Sequence, residues 1–281
     1  MSEAETFLID FHSKFPSCTP TVFSDGKTGD GFSSYDLLAS VIPDQGSQPI
    51  SILDLACGDG FLLTKLIDRK DPLLTLIGID MSSDELNVAR RRFSENSITL
   101  IEGKAQSIPL QDNSNDFVLC HMAFMLMEDI EQVVQEVFRI LRPGGVFSFV
   151  VGAKGRNGDI YDRFLEKLKE ELKSDNKSWL FRLGDRRIRS EDGIRSLFNS
   201  RFEQPIEIFD FTLKFSVSPE SAVQFFMLMY DIGLLSTESQ SRLAENLLQS
   251  FRGSVDPSGN VHFENSLRQI TCKKVETLET C

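Results

Sequence analysis

Two carboxylates and two glycines in this sequence have the residue types and the spacing of a site for a nucleotide-like ligand. Asp54 lies in an apolar run, and Gly58 and Gly60 follow it closely. Glycine lets the backbone pass near a ligand, and a helix that begins after Gly60 would offer free amide groups and the positive end of its dipole. Asp80 follows about twenty residues later, where a carboxylate can accept both hydroxyls of a ribose. Together these residues favour a nucleotide-like or carboxylate-bearing ligand.

The elements that must position these residues are predicted from hydrophobic periodicity. Between about residues 51 and 152, short β-type runs alternate with helical patterns, which is typical of βαβ units and a parallel sheet. The predicted strands span 50–55, 74–80, 98–102, 117–120 and 145–151. The predicted helices span 61–67, 84–93 and 130–141. In a doubly wound sheet, ligands bind beyond the carboxyl ends of the strands, where the strand order reverses.

The segment from Arg142 to Gly145 is predicted to end the helix over 130–141, because glycine permits a left-handed turn and proline cannot continue a helix. Beyond residue 155 the pattern changes. Helices are predicted over 161–173, 190–199, 219–235 and 238–251, with strands over 206–217 and 261–272. The helices between these two strands are long enough to form a lid.

Composition limits the classes of function. The 281 residues include 42 acidic and 30 basic residues, which gives a net charge of -12. A phosphate polyanion would bind against this field, so a small neutral or cationic acceptor is preferred to nucleic acid. No apolar run approaches the roughly 20 residues that span a bilayer, and we expect a cytosolic protein without a membrane partner. The five cysteines never form a C-x-x-C pair, so we expect reduced thiols and no metal site.

The glycine spacing distinguishes between two classes of nucleotide-binding fold. Dinucleotide-binding proteins carry G-x-G-x-x-G after the first strand. Here Ala56, Gly58 and Gly60 follow a small-x-G-x-G pattern, and Phe61 stands where the third glycine is needed. A nicotinamide-dependent oxidoreductase therefore remains only an alternative interpretation.

Four segments resemble the class I S-adenosylmethionine-dependent methyltransferases, within the small-molecule group similar to the ubiquinone and biotin-pathway enzymes. They are LDLACGDG (53–60), IGIDMSSDELNVARRR (77–92), EGKAQSIPLQDNSNDFVLCHMAF (102–124) and EVFRILRPGGVFSFV (136–150). The resemblance implies an α/β fold with a doubly wound, seven-stranded, mostly parallel sheet whose last strand is antiparallel, and a helical lid inserted in the C-terminal half. It divides the chain into an N-terminal helical cap segment (1–48), a cofactor-binding core (49–155), and lid helices with the final strands (156–281).

The resemblance also implies roles for individual residues around S-adenosylmethionine. The backbone around Ala56, Gly58 and Gly60 would contact the methionine part of the cofactor, and Asp54 would lie near its ammonium group. Asp80 would hold the ribose hydroxyls.

The remaining cofactor contacts would come from three later positions. Met81 would pack on the adenine, and Ala105 and Gln106 would lie at its edge, where Lys104 departs from the acidic residue usual in the family. Cys120 and His121 would line the site of methyl transfer.

The predicted reaction moves the methyl group by in-line displacement to an oxygen, nitrogen or carbon nucleophile of a small molecule. A protein that binds the cofactor without catalysis is the other alternative. His121 is the candidate general base, because an imidazole titrates near neutral pH, although a pocket-lining role is also open.

Candidate residues for the acceptor are Tyr35, Phe225, Phe226 and Arg182. For the two phenylalanines, packing in the core is the alternative and preferred interpretation. For the arginine and its neighbours, a solvated face neutralised by nearby acidic residues is preferred. The sequence does not predict an oligomeric state.

Overall fold

The computed structural model describes residues 2–44, 48–93, 98–155, 157–176, 183–198 and 201–276. The chain divides into two units. Unit 1 comprises Met1–Ser33, Lys154–Arg182 and Thr212–Ser266, and unit 2 comprises Ser34–Ala153, Leu183–Phe211 and Leu267–Cys281. The division into cap, core and lid segments stays a prediction.

Seven strands form one sheet, in the order β3-β2-β1-β4-β5-β7-β6. The strands are β1 (Ile50–Leu55), β2 (Leu74–Asp80), β3 (Thr99–Glu102), β4 (Asn115–His121), β5 (Leu141–Gly152), β6 (Glu207–Val217) and β7 (Val261–Lys273). The first five pair in parallel, and β7 pairs antiparallel to β5. The predicted fold class is confirmed, and the strand order reverses between β1 and β4. The lid stays a prediction.

Ten α-helices lie in the part of the chain that the structure describes. They are α1 (Glu3–Lys14), α2 (Cys18–Phe23), α3 (Ser34–Ala39), α4 (Phe61–Ile67), α5 (Ser83–Arg92), α6 (Ile130–Ile140), α7 (Asp159–Ser174), α8 (Glu191–Leu197), α9 (Pro219–Met227) and α10 (Thr237–Arg252). The prediction of one helix over 219–235 was wrong in its second half. Helix α9 ends at Met227, and a separate 3₁₀ helix covers Tyr230–Leu234.

The C-terminus of α6 is built differently from the prediction. The helix ends at Ile140 without a glycine cap, and β5 begins at once with Leu141. The segment 142–145 lies inside β5, where the pairing with β4 shifts register between Asn115 and Phe117. Gly144 has a φ of 74°, so its left-handed conformation serves the irregular strand and not a helix cap.

The last four carbonyl groups of α6 obtain their donors from the surrounding chain. The pairs are Val137 with the Leu141 amide, Phe138 with the Lys274 ammonium, Arg139 with the Asn113 amide, and Ile140 with the Ser114 amide. A glycine cap is unnecessary because every one of these acceptors is satisfied.

Each unit has its own aromatic core. In unit 2, Phe124 packs with Phe147 and Phe149 of β5, and the ring centroids are 4.4 to 5.3 Å apart. In unit 1, Phe164 stacks on Phe226 at 4.6 Å. Both cores bury large apolar area, which is the main favourable term in folding.

Lys274 connects the end of β7 to the end of α6. Its ammonium group donates to the carbonyl oxygens of Phe138 at 2.8 Å and Leu141 at 2.7 Å, and to Asn113 at 2.9 Å. It also lies 4.4 Å from the centre of the Phe138 ring. Burial lowers the pKa of Lys274, but its donors are fully used.

Replacing Lys274 with methionine should lower the free energy of unfolding by about 1–3 kcal/mol, because buried carbonyl oxygens lose their donor. Lys273→Met is the matched control, since its half-exposed side chain forms only surface ion pairs with Glu203 and Glu276, and its effect should stay within about 0.5 kcal/mol. Urea denaturation of the two variants measures both values. Equal losses would contradict the role given to Lys274.

Candidate functional site

The turn after β1 has a backbone that few side chains could accept. Ala56, Gly58 and Gly60 have φ values of 58°, 51° and 77°. A Cβ atom on Gly60 would stand 2.4 Å from the ring of Phe93, which follows α5. Helix α5 therefore packs directly against the turn, and only glycine permits that approach.

Asp54 is buried at the carboxyl end of β1, 1% exposed. Its Oδ2 atom has no hydrogen-bond partner among the described residues. Burial, followed by the nearby carboxylates of Asp80 and Asp59, holds the pKa of Asp54 well above its usual range. The sheet thus holds a carboxyl group for which the described chain provides no compensating cation.

Asp80 joins the end of β2 to the glycine turn. Its Oδ2 atom accepts a hydrogen bond from the Gly58 amide at 2.8 Å, and its Oδ1 atom accepts from the Ser82 amide at 2.8 Å. These contacts fix the carboxylate at the point where β1 and β2 lie side by side. Each oxygen of a carboxylate can accept more than one hydrogen bond.

Asp59, a residue that the sequence argument did not single out, is nearly as buried as Asp54 but is compensated. Arg92 in the last turn of α5 donates to it at 2.6 Å, and the Phe61 amide donates at 3.1 Å. The Arg92 guanidinium also lies 5.7 Å from the centre of the Phe61 ring. Arg92 therefore compensates the charge of Asp59, whereas Asp54 has no such ion pair among the described residues.

His121 ends β4 and is buried against α3. Its Nε2 atom shares a hydrogen bond with the Ser34 hydroxyl at 2.9 Å, and its ring stacks on Tyr35 with centroids 3.7 Å apart. Tyr35 in turn meets Phe61 edge-on at 4.7 Å. Burial lowers the pKa of His121 to about 3, so the imidazole is neutral at physiological pH.

Helix α3 is fastened to α4, and this attachment was not predicted. Arg69, just after α4, donates to the carbonyl oxygens of Ala39 at 2.7 Å and Ile42 at 2.9 Å. Lys65 on α4 forms an ion pair with Asp36 at 3.0 Å. The helix that carries Ser34 and Tyr35 is therefore fixed to the helix that follows the glycine turn.

The segment after β3 carries the residues predicted at the adenine edge. Gly103 donates to the Asp80 carbonyl at 2.9 Å, so the segment starts beside the predicted ribose contact. Ala105 packs partly buried against the unit 2 core. The side-chain amide of Gln106 donates to the Glu128 carbonyl at 2.8 Å. Met81 is half-buried after β2.

The other predicted site residues lie in different parts of the chain. Cys120 is fully buried in β4, and burial raises the pKa of its thiol. Phe225 and Phe226 lie in the aromatic core of unit 1, where both contact Phe263. Arg182 lies outside the described residues. Unit 2 thus contains the cofactor candidates together with Tyr35, whereas Phe225 and Phe226 belong to unit 1.

One arginine that follows residue 182 is neutralised by acidic residues. Arg187 forms ion pairs with Asp185 and with Glu131, both at 2.6 Å. The hydrogen bonds from Arg187 hold the pKa of Asp185 below its usual range.

Comparison with known proteins identifies the core. A family described as "Methyltransferase domain" matches residues 53–149. Residues 53–149 of this chain are therefore a methyltransferase domain. The resemblance seen in the four sequence segments is confirmed for this core, which contains the glycine turn, Asp80 and His121.

Curated relatives match little more than a third of this chain. The chain is 36% identical over 107 residues to a demethylmenaquinone methyltransferase of Symbiobacterium thermophilum, covering 37% of this chain and 43% of that protein. A demethylmenaquinone methyltransferase of Listeria monocytogenes is 32% identical over 98 residues, covering 34% of this chain and 41% of that protein. The chain therefore spans less than half the length of these relatives.

Solved structures share the fold over most of the chain. Phosphoethanolamine N-methyltransferase 2 of Haemonchus contortus, solved with S-adenosyl-L-methionine, has a TM-score of 0.58 and 15% identity, covering 98% of this chain and 61% of that one. A putative methyltransferase of Bacillus halodurans has a TM-score of 0.54 and 20% identity, covering 86% of this chain and 99% of that one. At these identities the likeness establishes the fold alone.

None of the described helices has the length and apolar character that a membrane crossing requires.

The buried His121 in the methyltransferase domain should make stability fall in acid. Between its ordinary pKa of 6.5 and its folded pKa of about 3, the unfolded chain binds a proton that the folded chain does not. Stability from this residue is present above about pH 6.5 and is lost as the pH falls. From pH 7 to pH 5 the wild type should lose about 2 kcal/mol more than His121→Gln.

Urea denaturation of both proteins at the two pH values measures this difference. The same pH dependence in wild type and variant would show that His121 is not buried as a neutral imidazole.

Proposed function

We propose that this protein transfers the methyl group of S-adenosylmethionine to an oxygen, nitrogen or carbon atom of a small-molecule acceptor. The observation that carries the proposal is the buried Asp54 carboxyl group, one oxygen of which has no partner among the described residues. The cofactor carries an ammonium group, which is the kind of cation that such a site lacks.

The electrostatics of the turn support a cationic ligand group at Asp54. Leaving a buried carboxylate without a cation or donor is costly, and the charges of Asp80 and Asp59 add to that cost. An ammonium group beside Asp54 would provide both charge and donors, and charge-assisted hydrogen bonds are roughly twice as strong as neutral ones. Among buried carboxylates of this turn, Asp59 already has Arg92.

The nucleoside contacts are proposed for Asp80, Met81, Ala105 and Gln106. The Asp80 carboxylate can accept ribose hydroxyls while it keeps its bonds to Gly58 and Ser82, because each oxygen has a second lone pair. Its fixed orientation would reduce the entropy that binding costs. The methionine part would be contacted by the backbone of Ala56, Gly58 and Gly60.

The cofactor supplies an activated methyl group on its sulfonium, so the protein's task is mainly to align the acceptor and exclude water. His121 contributes a neutral, oriented imidazole. With a pKa of about 3 it is a weak base near neutral pH, which favours a positioning or hydrogen-bonding role over proton removal. Cys120 and Tyr35 would line the same region.

For the methyl acceptor, only the chemical class is proposed. The bacterial relatives are named for demethylmenaquinone, but they match little more than a third of this chain. The net charge of -12 supports a neutral or cationic small molecule in a cytosolic protein. Phe225, Phe226 and Arg182 stay proposals for the acceptor side. An oxidoreductase role is disfavoured because Phe61, packed on Tyr35, occupies the third-glycine position.

Isothermal titration calorimetry with S-adenosylmethionine tests the proposed site. Asp54→Asn and Asp80→Asn should each weaken binding about ten- to a hundredfold, the effect of losing a hydrogen bond to a charged group. Asp68→Asn makes the same change at the exposed C-cap of α4 and should bind like the wild type. Unchanged affinity in Asp54→Asn would contradict the assigned ammonium site.

Transfer itself is tested with methyl-labelled S-adenosylmethionine and a fractionated metabolite extract, followed by mass spectrometry. A labelled small molecule that disappears in Asp80→Asn supports the enzyme. Binding of the cofactor without any labelled product would favour the non-catalytic binding protein, and binding of NAD in its place would favour the oxidoreductase.

A further inference from the structure

The segment 104–112, which follows β3, contains neither helix nor strand. It begins beside Asp80, since Gly103 donates to the Asp80 carbonyl at 2.9 Å and Glu102 pairs with Asp80 across the sheet. A ribose held by Asp80 would therefore bring its base towards this segment. An irregular segment can read a base edge only if something else fixes its backbone.

Arg139, on α6, fixes that backbone from one side. Its guanidinium donates to the carbonyl oxygens of Ile108 and Leu110, both at 2.8 Å, and to the Asp112 carboxylate at 2.7 Å. A planar guanidinium with five donors can hold several acceptors at once, which the single ammonium of lysine cannot do in the same geometry.

Glu136, one turn earlier on α6, completes the attachment. One of its carboxylate oxygens accepts from the Ile108 amide at 2.8 Å, and both accept from Arg139 at 2.8 Å. These hydrogen bonds hold the pKa of Glu136 below its usual range. Ile108 therefore has both its amide and its carbonyl bound by the same pair of side chains.

The N-terminal part of the segment is held by hydrogen bonds of Gln106. Its side-chain amide donates to the Glu128 carbonyl at 2.8 Å, and its own carbonyl accepts from Gln132 on α6 at 3.4 Å. The segment is thus fastened to α6 and to the loop before it at both ends. Its backbone cannot shift without breaking charge-assisted hydrogen bonds.

We propose that Arg139 and Glu136 are positioning residues that hold segment 104–112 in the conformation that reads the adenine edge of the cofactor. The inference rests on the proposed function. The pair touches the segment and not the ligand, so it acts on base selectivity through the backbone. Loosening the segment should weaken discrimination between bases more than it weakens binding of the rest of the cofactor.

The test compares two ligands that differ only at the base edge. S-adenosylhomocysteine carries the adenine amino group, and S-inosylhomocysteine carries an oxygen at that position. Calorimetry gives the ratio of their dissociation constants for the wild type, Arg139→Gln, Arg139→Lys and Glu136→Gln. Arg252→Gln is the matched control, since it removes an ion pair of 2.7 Å with Glu220 on the surface of unit 1.

We expect the wild type and Arg252→Gln to prefer the adenine ligand by about tenfold or more, as expected for a site that hydrogen-bonds the base edge. In Arg139→Gln the preference should fall to about threefold or less, and Arg139→Lys should lie between, because the three donors of an ammonium cannot replace all the hydrogen bonds of the planar guanidinium, which has five. A general loss of stability would lower the melting temperature without changing this ratio.

The outcomes separate the two proposals. A wild type that binds neither ligand overturns the proposed function together with this inference. A wild type that binds both ligands equally, or Arg139 variants that keep the full preference, overturn the inference alone. If Arg139→Gln does not fold, the ratio in Arg139→Lys and Glu136→Gln decides in the same way.

Discussion

The structure depends on keeping three carboxyl groups close together, two of them at the ends of β1 and β2 and the third in the turn after β1. Asp80 is held by two backbone amides, and Asp59 is held by Arg92 and the Phe61 amide. Asp54 is buried beside them with an oxygen that has no partner in the described chain. A protein would be more stable without such a group, so its presence is best explained by a cation that arrives with the ligand.

The segments around these three carboxyl groups are held in fixed positions by the rest of the chain. The glycine turn packs on Phe93 after α5, α3 is fastened to α4 by Arg69, and segment 104–112 is fastened to α6 by Arg139. Each of these three contacts is made by a residue that lies on a helix or just after one. A buried charge can be matched to a ligand only if its neighbours do not move, which is why side chains distant in sequence converge on these short segments.

Much of the fold could be predicted from local pattern. Strands β1 and β2 and helix α4 lie where the apolar runs and glycines predicted them, because the strands of a parallel sheet are buried and therefore read as continuous apolar runs. The number of strands and the antiparallel last strand were implied by the family resemblance. Pattern failed at 219–235, where the apolar run continues but the helix does not.

The site was only partly predictable, for physical reasons. The bond between His121 and Ser34 joins residues 87 positions apart, and no local spacing reveals it. The low pKa of His121 comes from burial, which depends on α3 covering the strand end. The local sequence Ser33-Ser34-Tyr35-Asp36 is typical of a helix start and says nothing about which residue the serine will contact. The hydrogen bonds between Arg139 and segment 104–112 likewise cannot be predicted from local sequence.

Proton release on cofactor binding tests the central claim most directly. Calorimetric titration with S-adenosylmethionine at about pH 5.5, in two buffers of different ionisation enthalpy, counts the protons exchanged. The cofactor's amino group is protonated there, and His121, with a pKa of about 3, is neutral. If the ammonium group ionises a carboxyl whose pKa burial had raised, binding should release up to about one proton, and Asp54→Asn should release none. Binding without proton release in the wild type would contradict the account.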